Sequence, residues 1–238
     1  MRVEALQTGI FATKMNLTDF IVEHAGAHLR ENQILAVTSK IVSLAEARSV
    51  SKRDIEKKQL IQRESDYYLG EIGYGCHLTI KHNLLIPSAG IDESNSAHDE
   101  YILYPRDPFA SAQRLHQQLR ERLGLQQLGI LLTDSHTLPL RKGVVGAALA
   151  YWGFRGIRSM IGQADIFGRK LQMTQINVAD ALATAATFLM GEGAERCPLA
   201  ILAEVPVEFC EVIDPNELVI SVEQDLYAPI YAHLLAQN

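Results

Sequence analysis

The chain of 238 residues has only three cysteines, Cys76, Cys197 and Cys210. They lie far apart and form no C-x-x-C pair, so neither a disulfide framework nor a zinc knuckle is supported, and a reducing cytoplasm is the expected setting. Positive charge is also scarce, since the formal net charge is −6. A general nucleic-acid binder needs basic side chains to neutralise phosphates, which argues against that class. Long apolar runs are missing too. The opening "MRVEALQTGIFATKMN" lacks the apolar core of a signal peptide, and no stretch reaches the length needed to cross a bilayer. No GxxxxGK[ST] phosphate loop, GxGxxG dinucleotide turn, GxSxG nucleophile elbow or HExxH zinc helix occurs.

What remains is a globular composition, 47% hydrophobic and 21% charged, long enough to bury a core. It predicts a single domain over 1–238, with two closely associated lobes. Residues 17–30 place Phe20, Ile21, His24, Ala25, His28 and Leu29 on one helical face, and "QILAVTSK" reads as a short buried strand. "DIEKKQLIQRESDYYL" predicts a polar helix and "HLTIKHNLLIP" a hairpin. The clearest helix is "DPFASAQRLHQQLRERLG", where Asp107 caps, Pro108 opens the first turn, Phe109, Ala112, Leu115, Leu119 and Leu123 form the stripe, and Gly124 ends it. In "LGILLTDSHTLPLRKG", Leu128 and Ile130 to Leu132 predict a buried strand that releases Thr133 and Asp134 into a loop. "GVVGAALAYWGFRG" suits close packing, "INVADALATAATFLMGEG" a long helix ended by Gly191 or Gly193, "PLAILAEVPVEF" a strand, and "EQDLYAPIYAHLLAQ" a helix interrupted by Pro229. The mixture predicts an α/β or α+β class.

The chemistry-bearing residues are mostly acidic. "LLIPSAGIDESNSAHDE" gathers Asp92, Glu93, Ser94, Asn95, Asp99 and Glu100 without a lysine or arginine. Taken alone, such a cluster is turn chemistry on a solvated loop. Asp92, Asp134 and Asp165 of "GQADIFGRKL" are three carboxylates on separate segments, as a Mg²⁺ or Mn²⁺ site needs, with Ser94 and Ser135 able to complete a shell. Asp165 is equally placed to pair with Arg169. His24 and His28 share a helical spacing but have no third ligand nearby, so packing is expected of them rather than metal binding.

Six segments, "ILAVTSKIVSLAEAR", "IPSAGIDESNS", "PRDPFASAQRLHQQL", "ILLTDSHTLPLRKG", "GQADIFGRKLQMT" and "ADALATAATFLMGEG", occur in the order and approximate spacing of one family. Over roughly residues 3–205 the chain resembles the coenzyme F420-0:L-glutamate ligases, the γ-glutamyl ligase family. The resemblance implies an α+β fold (mixed α/β) with mixed sheets and flanking helices, assembled as an intertwined homodimer. It implies an enzyme that joins L-glutamate to an acceptor carboxylate through a γ-linked amide, using GTP or ATP, Mg²⁺ or Mn²⁺, and a monovalent cation such as K⁺. Carried onto matching positions, Asp92 and Asp134 are catalytic metal ligands, and Ser135 is a further metal ligand. Ser39, Lys40 and Asn95 contact the nucleotide. The segment from Glu192 through Cys197 belongs to the same pocket, and "GIFAT" supplies another nucleotide contact. A carboxylate is a poor acylating agent at neutral pH, so the resemblance implies γ-phosphoryl transfer to the acceptor and attack by the glutamate amine on the acyl phosphate. Lys40 would touch the phosphates. Arg141, Lys142 and Arg169 either hold the anionic acceptor or glutamate, or are exposed solubilising charge.

Departures from the family pattern fall around this site. His136, Thr137, Leu138 and Pro139 stand where members commonly continue with Phe, Gly, Arg and Pro, Leu44 stands for a common lysine, and Ser159 for an aspartate. They leave Asp92 and Asp134 in place and bear on nucleotide and acceptor choice, the acceptor being coenzyme F420-0 or a folate. Two other classes stay open at this point: a non-catalytic nucleotide binder on the same fold, and a metal-dependent phosphohydrolase.

Overall fold

A computed structural model describes residues 1–96 and 99–235. In chain order the first half carries β1 (Arg2–Leu6), α1 (Leu17–Ala25), β2 (Gln33–Thr38), α2 (Ser39–Ala45), β3 (Ser49–Ser51), α3 (Lys57–Glu64), β4 (Tyr67–Glu71), β5 (His77–Lys81), β6 (Leu84–Pro87), β7 (Glu100–Ile102) and α4 (Pro108–Leu123). The second half carries β8 (Leu128–Thr137), β9 (Val144–Trp152), β10 (Ile157–Ser159), β11 (Gln175–Asn177), α5 (Val178–Met190), β12 (Leu199–Ala203) and α6 (Ala228–Leu235). Five strands form the main sheet in the order β1-β12-β2-β8-β9, and β4-β5-β6, β3-β7 and β10-β11 form small antiparallel sheets. Only the β2–β8 pair of the main sheet is parallel. The architecture is α+β with mixed sheets, as expected.

Hydrophobic side chains on both faces of the main sheet explain its nearly continuous apolar strands. One face packs on α1, α2 and α4 through Ile21, Ile41, Leu115 and Leu119. The other packs on α5 through Leu182, Ala183 and Ala186. α4 forms as its sequence demands: the Asp107 side chain accepts the Ala110 N–H at 2.9 Å, Pro108 opens the first turn, and Gly124 closes the helix at φ +67°. α5 begins at an Asn177 cap and ends at Gly191, and it lies close on β9 because Gly146 has no Cβ to strike the Ala183 carbonyl.

Two registers place the later site. Pairing of β2 with β8 ends at Thr38 opposite Thr133, whereas β8 runs on to Thr137 against β9 alone. Asp134 therefore lies within a strand and not in the loop that the apolar run suggested, because β9 keeps the chain extended. Alternation along β8 then decides the faces. Leu132 belongs to the core under α1, α2 and α4 and Leu131 to the core under α5.

Other boundaries also shift. β2 stops at Thr38, so Ser39 and Lys40 open α2 instead of ending a strand. α1 stops at Ala25, and His28 follows in a turn, so His24 and His28 share no helix face. The polar helix ends at Glu64, since Tyr67 and Tyr68 pair with β5. Strand β12 ends at Ala203, shortly before Pro206, which cannot donate to a ladder. Pro229 sits in the first turn of α6, where its missing N–H is harmless, and does not interrupt the helix; the last two residues of that expected helix, 236 and 237, lie outside the described residues. Among the described residues no helix is long and apolar enough to cross a membrane.

Beyond the β5–β6 hairpin, Ser88, Ala89 and Gly90 all have left-handed φ, at +52°, +53° and +67°. Such a run is costly for side-chain-bearing residues and is held by specific bonds. The Ala89 N–H donates to Thr79 Oγ1 at 2.8 Å and the His77 N–H to Ser88 Oγ at 3.3 Å. A Cβ on Gly90 would fall inside the ring of Tyr104. Gly90→Ala is expected to cost about 1–3 kcal/mol through this overpacking, read by equilibrium urea denaturation. A variant within about 0.5 kcal/mol of the parent would mean that the ring moves aside freely.

Candidate active site

A cavity of about 510 Å³ opens where β2 and β8 end. Five segments line it: Thr8 to Phe11 after β1, Thr38 to Leu44 across the β2–α2 junction, Asp92 to Ser96, Thr133 to Ser135 of β8, and the end of α5 with the residues that follow it to Pro198. A cleft of about 640 Å³ at another end of the sheet is larger. Its Glu31, however, is tied to the Gln126 and Gln127 N–H groups, and it holds no aspartate.

Asp134 lies on the floor of the cavity. The Tyr104 hydroxyl donates a short hydrogen bond to its Oδ2, and Ser39 Oγ lies 3.5 Å from its Oδ1. Burial pushes the Asp134 carboxyl up to about 6; the bonds from Tyr104 and the Ser135 N–H work against this rise, and the charges of Asp92 and Glu192 add to it. Burial and Asp134 also hold the Tyr104 hydroxyl well above its ordinary value, so it remains the donor. One residue on, Ser135 faces the α5 side and donates to Glu192 Oε2 at 3.1 Å. The free end of β8 thus presents Asp134 on one face and Ser135 on the other to a single cavity.

Asp92 is fixed at both ends. Its backbone exchanges two hydrogen bonds with Ile102, at 2.9 and 2.8 Å, and its Oδ1 accepts from the N–H and hydroxyl of Ser94 at 2.6 and 2.8 Å. Its Oδ2 pairs with Lys40 Nζ at 2.6 Å. Burial would raise this carboxyl, but Lys40 and then Ser94 outweigh it and hold Asp92 below the usual carboxylate range. Asn95, at φ +54°, lines the same wall.

All of Ser39, Lys40, Asp92, Asn95, Asp134, Ser135 and Glu192 are close to this cavity, and Leu44, Phe11 and Ile41 form an apolar wall beside them. Asp165 is elsewhere. It pairs with Arg169 at 3.0 Å and accepts the Phe167 and Arg169 N–H groups, in the exposed arm between β10 and β11. Arg141 and Lys142 are exposed in the turn after β8, outside the lining. The acidic loop itself is not left to water. Lys57 and Lys52 pair with Glu93, and Lys52 with Asp99 at 3.1 Å. The lysines absent from the loop's own sequence arrive from other segments.

Sequence reasoning missed Tyr104, which reads as an ordinary core aromatic in "YILYP". Within the stretches it did bring to the site it gave no role to Thr133, whose buried hydroxyl has no hydrogen-bond partner among the described residues, or to Glu195, which folds back to accept the Gly193 N–H at 2.7 Å. The role of Tyr104 shows only in its contact with Asp134, 30 residues further along the chain.

No group of three or more His, Cys, Asp or Glu side chains converges among the described residues. The donors at hand are the carboxylates of Asp92 and Asp134 with the hydroxyls of Ser39 and Ser135, all oxygen. Such a sparse, hard set fits Mg²⁺ or Mn²⁺, which keep waters and take phosphate oxygens for the rest of the shell, and the buried Thr133 hydroxyl is one polar group without a hydrogen-bond partner among the described residues.

A family model described as F420-0:Gamma-glutamyl ligase matches residues 5–204. The chain is 31% identical over 204 residues to the coenzyme F420:L-glutamate ligase of Methanopyrus kandleri, covering 78% of this chain and 79% of that protein. It is 30% identical over 216 residues to the enzyme of that name from Methanococcus maripaludis, covering 84% and 86%. Against the one from Methanothermobacter thermautotrophicus it is 31% identical over 202 residues, covering 78% and 80%.

Asp134 binds its proton more tightly in the folded chain than in the unfolded one, whose carboxyl is near 3.8. Stability contributed by this group therefore falls as pH rises from about 4 to about 6, and the whole penalty, about 2–3 kcal/mol, is present above that window. Asp134→Asn keeps an acceptor for Tyr104 and removes the charge. The metal-free variant should outlast the parent in urea at pH 8, with the advantage shrinking toward pH 4. A variant less stable than the parent at pH 8 would contradict the burial argument.

Proposed function

This chain belongs to the F420-0:gamma-glutamyl ligase family, and from that premise we propose that it forms a γ-glutamyl amide between L-glutamate and an acceptor carboxylate at the expense of GTP or ATP. The observation that carries the reading is the convergence of Asp92, Asp134, Ser135, Lys40 and Ser39 on one cavity with an apolar wall. Asp92, Asp134 and Ser135 would hold Mg²⁺ or Mn²⁺, which when bound supplies positive charge against the phosphate oxygens. Lys40 now faces Asp92; a divalent charge there would free its ammonium for a phosphate. Ser39, Asn95 and Glu192 complete the nucleotide side, and Phe11, Ile41 and Leu44 offer a flat base an apolar surface.

The reaction proceeds in two transfers. The acceptor carboxylate takes the γ-phosphoryl group, releasing nucleoside diphosphate and becoming an acyl phosphate. The glutamate amine then attacks the acyl carbon, forming the amide and releasing phosphate and a proton. The relatives are named for coenzyme F420; the acceptor proposed here is that coenzyme's precursor or a folate, both of which end in a carboxylate. K⁺ is a further proposed cofactor, and the cytoplasm the proposed setting. A homodimer is supported by the arm between β10 and β11, which exposes Ile161, Ile166, Phe167 and Met173.

The test is mass spectrometry of the protein incubated with Mg²⁺ or Mn²⁺, GTP or ATP, L-glutamate and, in separate arms, the coenzyme F420 precursor and a reduced folate. Gain of one glutamyl residue on either acceptor is expected, with at least a hundredfold loss in Asp134→Ala, about 3 kcal/mol of transition-state stabilisation. Nucleotide binding without product in either arm would favour a non-catalytic binder, and phosphate release without glutamate a phosphohydrolase.

A further inference from the structure

We propose that Tyr104 is a positioning residue that fixes Asp92 and Asp134 relative to each other and thereby sets the affinity of the cavity for a divalent cation. The inference rests on the metal-dependent reading above. Three contacts join this side chain and the segment that carries it to the two aspartates. Its hydroxyl donates to Asp134 Oδ2, which occupies that oxygen and leaves Oδ1 turned toward Ser39. Its backbone follows Ile102 by two residues, and Ile102 exchanges both hydrogen bonds with Asp92. Its ring lies against Gly90, two residues before Asp92, so closely that a Cβ added there would strike it.

The ring is itself held. The Tyr104 carbonyl accepts from Arg48 Nε at 3.0 Å, Arg48 pairs with Glu64 at 2.6 Å, and the His82 ring stands 6.1 Å away. Tyr104 is only 6% exposed. All of this packing would serve a phenylalanine equally well. Among the described residues the hydroxyl forms a hydrogen bond to Asp134 alone. Without it the Asp134 carboxylate keeps only Ser39 Oγ at 3.5 Å and the Ser135 N–H as partners, and an outer partner that orients a ligating carboxylate is typically worth about 10–100-fold in metal affinity.

Tyr104→Phe keeps the ring and removes the donor. Binding of Mn²⁺ to the nucleotide-free protein, followed by the electron paramagnetic resonance signal of the free ion, should weaken by about 10–100-fold, while the melting temperature of the metal-free protein stays near the parent's. In an Asp134→Asn background the same change should weaken Mn²⁺ binding no further, because its effect passes through that carboxylate. Equal Mn²⁺ affinity in parent and Phe variant would overturn the proposal. So would a Phe variant whose fold and binding are lost together, which would give Tyr104 a purely structural part. A parent that binds no Mn²⁺ would instead overturn the metal-dependent reading on which the proposal rests.

Discussion

Strand β8 has two strand neighbours only as far as Thr133. Beyond that residue β2 has turned into α2, and Asp134 to Thr137 continue with β9 alone on one side. One edge of this overhang is thereby left without a strand partner among the described residues, and the consecutive residues Asp134 and Ser135, pointing opposite ways, both line one cavity. The position also agrees with the general tendency of open sheets to bind ligands beyond the carboxyl ends of their strands. The other walls converge on the overhang: α2 brings Ser39 and Lys40, the strained turn after β6 brings Asp92, and the end of α5 brings Glu192.

Such a cavity stores electrostatic cost. The charges of Asp92 and Glu192 both act against the charge on Asp134, which burial disfavours most. In this structure Lys40 offsets the charge of Asp92, and Tyr104 offsets part of the cost at Asp134. A site arranged for folding alone would not place its least solvated carboxylate beside two others. The arrangement suits a ligand that brings positive charge, and the family to which the chain belongs supplies the chemistry such a ligand would serve.

The chain continues past the part matched by the family model, and this segment is tied to the frame beneath the site. Glu217 accepts from the Tyr151 hydroxyl at 2.7 Å and from the Gly156 N–H at 2.8 Å, Phe209 bridges to Phe154, and Arg120 pairs with Glu211 at 2.6 Å. These contacts brace the end of β9, the strand that keeps the β8 overhang extended. They involve none of the cavity residues, so they support the site only through the sheet.

Much of the frame was legible in the sequence because its causes are local. The Asp107 cap, Pro108 and Gly124 set α4, the alternation of "HLTIKHNLLIP" set a hairpin, and the ordered segments from "TSK" to "GEG" pointed to the family and to residues that do line one cavity. Local pattern went wrong where a partner strand decides the outcome, as at Asp134, which an apolar run alone would release into a loop. It also misread charge, since the acidic loop with no lysine of its own is neutralised by Lys40, Lys52 and Lys57 from segments about 35–55 residues away in the chain. Residue chemistry and helix limits follow from near neighbours along the chain and are determined by the sequence read by itself. Which carboxylate is buried, which lysine faces it and which tyrosine holds it depend on contacts between distant segments, and only the tertiary structure decides those.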